Sequence, residues 1–138
     1  MKIIEVVNAL ERFAPLPLQE DYDNAGLQIG LTEAEISGAL LCLDVTEETV
    51  DEAIRKGCNL IVSHHPLIFR RLRRIAGEDM VQCVVAKAIV NHIVIVSMHT
   101  NMDAAQGGVN FKIAEKMGLS HVGFIGKTRQ AEAHGASA

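Results

Sequence analysis

Ile3, Val6, Val7 and Leu10 recur every three or four positions, which predicts an amphipathic helix over residues 2–13, stopped by Pro15 and Pro17. A polar loop follows from Gln19 to Asn24. The run Ile36 to Leu43 has the apolar character of a strand buried on both faces and ends at Asp44-Val45-Thr46. Glu47 and Glu48 then favour a helix start, where carboxylates meet the positive end of the helix dipole. Val50, Ala53 and Ile54 give that helix an apolar stripe, Asp51, Glu52, Arg55 and Lys56 point outward, and Gly57 ends it.

A second strand, Asn59 to Ser63, runs into His64-His65-Pro66. Val81, Val84, Val85, Ala88 and Ile89 predict a longer helix from about Asp79 to Asn91, delivering a third strand over Ile93 to Ser97. That strand opens into a loop carrying Met98-His99-Thr100-Asn101-Met102-Asp103. Gly107-Gly108 opens a last helix through Met117, closed by Gly118, and His121 to Ile125 is a further strand candidate. Such alternation implies an α/β fold: a mainly parallel sheet flanked by helices, with right-handed crossovers. Residues 1–125 form one lobe on this reading. Residues 126–138 lack periodicity and are expected to form a disordered tail.

At 138 residues, 49% hydrophobic and 22% charged, the chain fits one folded domain. Cys42, Cys58 and Cys83 are scattered without Cys-x-x-Cys spacing and read as small core residues in a reducing compartment. With no secretory leader pattern and no apolar stretch long enough for a membrane span, the cytoplasm is the expected location. A net charge of −4 argues against a general nucleic-acid binder. Arg70-Arg71-Leu72-Arg73-Arg74 is the local exception, either a solvated turn pairing with Glu78 and Asp79 or an anion-binding patch.

In an open parallel sheet, ligands bind beyond the carboxyl ends of the strands. Here three strands end in polar groups: Asp44 and Thr46, then His64 and His65, then His99, Asn101 and Asp103. Adjacent imidazoles just past a strand end need not point to opposite faces, and with a carboxylate such as Asp103 they suit zinc, iron, manganese or nickel. His99 is the candidate catalytic residue, able to ligate, to position substrate or to orient Asp103. Gly107-Gly108 admits two readings, an amide cradle for an anion or a tight turn without a ligand.

Four blocks carry a resemblance: Tyr22-Asp23-Asn24-Ala25-Gly26-Leu27-Gln28-Ile29-Gly30, Asp44-Val45-Thr46, Ser63-His64-His65-Pro66-Leu67-Ile68-Phe69, and His99-Thr100-Asn101-Met102-Asp103 with Gly107-Gly108-Val109-Asn110. In this order the chain resembles the N-terminal half of the Nif-three-like family, whose bacterial members are often called GTP cyclohydrolase 1 type 2 homologs. The resemblance implies a dinuclear metal centre, two related α/β lobes and a ring-shaped homohexamer. It implies His64, His65 and Asp103 as metal ligands, with Asp23 and Asn24 lining the site beside Asp44 and Asn101. Tyr22 stands where the family usually has tryptophan. The family's remaining ligands, a His and a Glu from a second lobe, have no equivalent here, and Glu132 and His134 lack the spacing to replace them. With three protein ligands for two ions, open positions would be filled by water or a neighbouring subunit. The implied activity is metal-dependent hydrolysis of a nucleotide or related heterocycle. The alternative is a non-catalytic metal-binding scaffold acting through its oligomer surface.

Overall fold

The computed structural model describes residues 1–125. The predicted tail, Glu132 and His134 lie outside them. Helix α1 (Ile3–Phe13) is followed by a short 3-10 turn at Leu16–Leu18 and strand β1 (Gly26–Ile29). Then come β2 (Ala39–Cys42), α2 (Glu47–Arg55), β3 (Leu60–Ser63), α3 (Met80–Val90), β4 (Val94–Ser97), α4 (Thr100–Ala104) and α5 (Val109–Lys116). The strands form one sheet in the order β1-β4-β3-β2. Strands β2, β3 and β4 are mutually parallel, while β1 pairs antiparallel with β4. The sheet is therefore mixed: the expected parallel strands make up three of its four members, and the antiparallel β1 closes one edge.

The two central strands explain the core. Strand residues alternate between faces, and β3 and β4 supply apolar side chains to both. Ile61 and Ile95 pack with Val50 and Ala53 of α2 and Val84, Val85 and Ala88 of α3. Leu60, Val94 and Val96 pack on the other face with Ile3 and Val7 of α1. Local chemistry fixes the helix starts: the Thr46 hydroxyl accepts from the Thr49 amide at 3.2 Å, and Asp79 accepts from the Gln82 amide at 2.9 Å. Such caps satisfy amides that the first helical turn leaves without partners.

Three local expectations differ from the structure, and one strand, β1, carries no expectation at all. Strand β2 is an edge strand whose Ala39 and Leu41 are exposed, so the run Ile36 to Leu43 is not buried on both faces. Strand β1 was hidden by its glycine-flanked, four-residue length; Gly30 holds φ +103°, and a Cβ there would come within 3.0 Å of the Val94 backbone. Met98 to Asp103 is not simply a loop, because Thr100–Ala104 closes a helical turn. Residues His121 to Ile125 are exposed and irregular, pairing with no strand among the described residues; Phe124 instead meets Phe111 edge-on at 5.4 Å.

Candidate metal centre

Parallel pairing brings Cys42 opposite Ser63 and Ser63 opposite Ser97, so the three chain segments leave the sheet at one level. Just beneath the rim, the Ser63 and Ser97 hydroxyls lie 2.8 Å apart, and the Ser63 hydroxyl donates to the His65 carbonyl at 2.9 Å. Past that level come Asp44, His64 with His65, and His99. The three imidazoles face one another with ring centroids 5.0 to 5.5 Å apart, and one ligand atom from each lies within 4.8 Å of the others.

Each ring is held from behind. His64 Nδ1 lies 3.0 Å from the Met98 carbonyl, His65 Nδ1 lies 2.8 Å from Asp44 Oδ1, and His99 Nδ1 lies 2.9 Å from Asp23 Oδ1. A carbonyl and a carboxylate only accept, so all three Nδ1 atoms carry the proton and donate. With Nδ1 donating, the nitrogen left to each ring for binding an ion is Nε2. Three oriented imidazoles, each tied by its remote nitrogen to an oxygen, form the donor set and supporting shell that a borderline divalent ion requires. The residues present thus fit a metal ion.

Asp23 is the most deeply engaged of these supports. Its side chain is 0% exposed. Oδ1 accepts from His99 Nδ1 and from the Asn24 amide at 2.7 Å; Oδ2 accepts from the Thr100 amide at 3.0 Å and from the Thr100 hydroxyl. Burial alone would raise its pKa, but the hydrogen bonds from Thr100 and His99 and from the Thr100 and Asn24 amides outweigh burial and hold it below the ordinary aspartate value. Asp44 is the opposite case, an exposed carboxylate against a half-exposed His65.

The other predicted residues fall nearby in different ways. The Asp103 amide donates to the His99 carbonyl at 3.2 Å across the turn of α4, yet the Asp103 carboxylate is not among the clustered ligand atoms. Asn101 is fully buried; its amide group donates to the Ala14 carbonyl at 2.9 Å, and its oxygen accepts from the His99 amide at 2.9 Å, which fixes the His99 backbone. Asn24 donates to the Ile68 carbonyl at 2.6 Å. Gln28, not singled out from sequence, receives the Ile68 amide at 3.1 Å and donates to the Asn24 carbonyl at 2.7 Å. Thr100 was also missed; it accepts from the Glu20 amide at 2.9 Å while donating to Asp23. Both lie inside the quoted blocks, but neither is a metal ligand type, so composition gave no reason to select them.

Gly108 has a packing reason to be glycine: an added Cβ would sit 2.0 Å from the Met102 carbonyl oxygen, and its amide donates to the Ala105 carbonyl at 2.9 Å. The tight-turn reading accounts for it. Of the arginine run, Arg74 pairs with Glu78 at 3.5 Å, whereas Asp79 caps α3.

Comparison with known proteins supports the same architecture. The Duf34/NIF3 (NGG1p interacting factor 3) profile matches residues 1–136. A GTP cyclohydrolase 1 type 2 homolog from Clostridium acetobutylicum is 35% identical over 131 residues, 95% of this chain and 49% of that protein. One of the same name from Staphylococcus aureus strain COL is 40% identical over 125 residues, 91% of this chain and 34% of that protein. The crystal structure of a Bacillus cereus protein related to NIF3 superposes with a TM-score of 0.81 at 42% identity, covering 88% of this chain and 33% of that one. The chain therefore spans half or less of these relatives' length. No described helix is long and apolar enough to cross a membrane. From the profile match and the shared fold, the chain belongs to the Duf34/NIF3 family.

Proposed function

We propose that the rim beyond β3 and β4 binds divalent metal through Nε2 of His64, His65 and His99, with Asp103 completing the set by rotation of its side chain, and that the bound centre serves hydrolysis of a nucleotide or related heterocycle. The observation that carries this reading is the tethering of all three Nδ1 atoms to oxygen acceptors in rings whose ligand atoms lie within 4.8 Å of one another, which leaves Nε2 of each ring to bind an ion. Among the described residues no protein group hydrogen-bonds any of the three Nε2 atoms, which a purely hydrogen-bonding role for the rings would not require. When bound, a divalent ion supplies Lewis-acid chemistry suited to hydrolysis. Zinc, iron, manganese and nickel all accept imidazole and carboxylate.

The chain's own residues divide the remaining work. Asp44 and Asp23 fix the tautomers and ring orientations of His65 and His99. Asn24 ties the loop before β1 to the loop after His65, keeping two sides of the rim at constant separation. Ligation and proton transfer both use His99 Nε2 and exclude one another, so the second role open to His99, if it stays off the ion, is to take up and return a proton at Nε2 while its ring is backed by a buried carboxylate. A second ion would draw its other ligands from a neighbouring subunit. A homohexamer in the cytoplasm is the corresponding assembly.

Metal content after purification, followed by GTP turnover with and without added manganese or zinc, tests the reading. The names of the relatives make GTP the first nucleotide to try. Metal with turnover supports the hydrolase, and metal without turnover favours a scaffold. His65→Ala and Asp103→Ala are each expected to reduce bound metal while the fold persists; unchanged stoichiometry in both refutes the ligand assignment. Loss of turnover with full metal content in His99→Ala would restrict His99 to proton handling.

A further inference from the structure

Beside the histidine cluster lies a hollow of about 370 Å³ lined by Tyr22, Asp23, Asn24, Ile68, Phe69, Arg70 and Arg71. It shares Asp23 with the support of His99, so the two sites meet at one residue. Its volume falls in the range of small-molecule pockets. Three features of its lining point to one kind of ligand. Tyr22 and Phe69 are 67% and 49% exposed, and their rings meet edge-on with centroids 6.5 Å apart. Two large aromatic side chains left open to solvent at a pocket wall offer a planar ring a surface to stack on. Arg70 and Arg71 line the same hollow, and among the described residues neither has a carboxylate within ion-pair distance, unlike Arg74 with Glu78.

Four of the chain's 13 Lys and Arg residues fall between positions 70 and 74, although the net charge is −4. Guanidinium groups match phosphate oxygens with paired N–H donors. The one carboxylate in the lining, Asp23, turns its oxygens away into His99, Thr100 and Asn24, so it presents no exposed oxygen to an entering anion. The walls are also fixed relative to one another: Asn24 and Gln28 both hydrogen-bond the Ile68 backbone, joining the segment bearing Tyr22 to the segment bearing Phe69 and the arginines.

We propose that this hollow is a substrate subsite for a phosphorylated heteroaromatic compound of mononucleotide size, with its ring against Tyr22 and Phe69 and its phosphate on Arg70 and Arg71. The subsite deepens the hydrolase reading, since it would hold the ligand beside the metal centre. A polynucleotide is the poorer match: the lining offers one stacking pair on a negatively charged chain, whereas strand binders line up successive bases along a basic groove.

The test is calorimetric titration of the full chain, first stripped of metal with chelator, using GMP, guanosine, ribose 5-phosphate and an oligothymidylate. GMP is expected to bind at least about tenfold more tightly than guanosine or ribose 5-phosphate, because each lacks one of the two contacts. The double variant Arg70→Ala/Arg71→Ala should weaken GMP by about tenfold or more and leave guanosine unchanged. Phe69→Leu should weaken GMP while leaving ribose 5-phosphate unchanged. Equal affinity for GMP and guanosine, no effect of the arginine variant, or tighter binding of oligothymidylate than of GMP would overturn the proposal. Metal content separates the two readings. The arginine variant should retain wild-type metal, and His64→Ala should lose metal yet still bind GMP. GMP affinity unchanged in the arginine variant, with metal bound as in wild type, would refute the subsite and leave the metal centre standing, whereas GMP bound as expected by protein that takes up no metal would do the reverse.

Discussion

Replacing Asp23 by Asn changes one oxygen to an NH₂ group in a side chain with no solvent access. The amide oxygen can still take the position of Oδ1 and receive the protons of His99 Nδ1 and the Asn24 amide. The NH₂ group must then face the Thr100 amide, which donates to Oδ2 at 3.0 Å, so two donors confront each other. The Thr100 hydroxyl can reverse and accept, although it already accepts from the Glu20 amide. One charge-assisted hydrogen bond is therefore lost outright, about 1.5–3 kcal/mol, and the bond to His99 is weakened by loss of the charge. A neutral side chain is cheaper to bury, which opposes this loss. The lowered pKa of Asp23 decides the balance, because it means that the hydrogen bonds to the ionised form already exceed its burial penalty. The expected destabilisation is about 3 kcal/mol. With an unfolding entropy of roughly 2.1 cal/mol/K per residue, 138 residues give a fall in Tm of about 10 °C. Thermal unfolding followed by circular dichroism, with chelator present so that metal does not contribute, measures it. A Tm within 2 °C of wild type would refute the claim that Asp23 anchors the rim.

Four further outcomes follow from other parts of the molecule. Asp44→Asn, at an exposed pair, should leave Tm nearly unchanged but lower metal affinity by about 10- to 100-fold in competition with a chromophoric chelator. Gly108→Ala forces a Cβ to within 2.0 Å of the Met102 carbonyl unless the backbone moves, and should lower the urea midpoint measurably, whereas Gly57→Ala, with open space around it but φ +68°, should cost only about 1 kcal/mol. Ile95→Ala removes a fully buried side chain from the central strand and should cost about 2–5 kcal/mol by denaturant unfolding. Chelation of wild-type protein should lower Tm by about 9 °C if metal is otherwise present at a hundred times its Kd, since that occupancy contributes about 2.7 kcal/mol.

The parts of the fold legible in sequence are those whose signal is local. Strands β3 and β4 are uninterrupted apolar runs because both faces are covered, and α2 and α3 carry caps and stripes that a short window detects. Strand β1 has no such signature; its four residues, which begin at the positive-φ Gly26 and are followed by the positive-φ Gly30, become a strand only by pairing with β4, some 70 positions away in the chain. Strand β2 looks like a central strand because its residues are apolar, and only the sheet order reveals an edge with Leu41 outward. The same distinction governs the site. His64, His65 and His99 could be suspected because each follows an apolar run. Asp23 and Asp44 are legible only as residues near the site; which ring each one backs is not, since Asp23 lies 76 positions from His99 and Asp44 lies 21 from His65.

That separation also explains why the site is built at this edge of the sheet. Parallel register aligns Cys42, Ser63 and Ser97, so the residues that follow them emerge together without any local sequence rule linking them. The antiparallel β1 then does what a parallel strand could not: its beginning, rather than its end, lies at the same rim, because Gly26 pairs with Ser97. The segment entering β1 therefore brings Asp23 against His99 and Asn24 against Ile68. Reversal of one edge strand thus supplies both the buried carboxylate behind the histidine cluster and the Tyr22 wall of the neighbouring hollow. Moving β1 by one residue in register would turn its side chains to opposite faces and carry Asp23 out of reach of His99. A one-residue insertion between Asn24 and Gly26 should accordingly reduce metal binding even though it adds or removes no ligand.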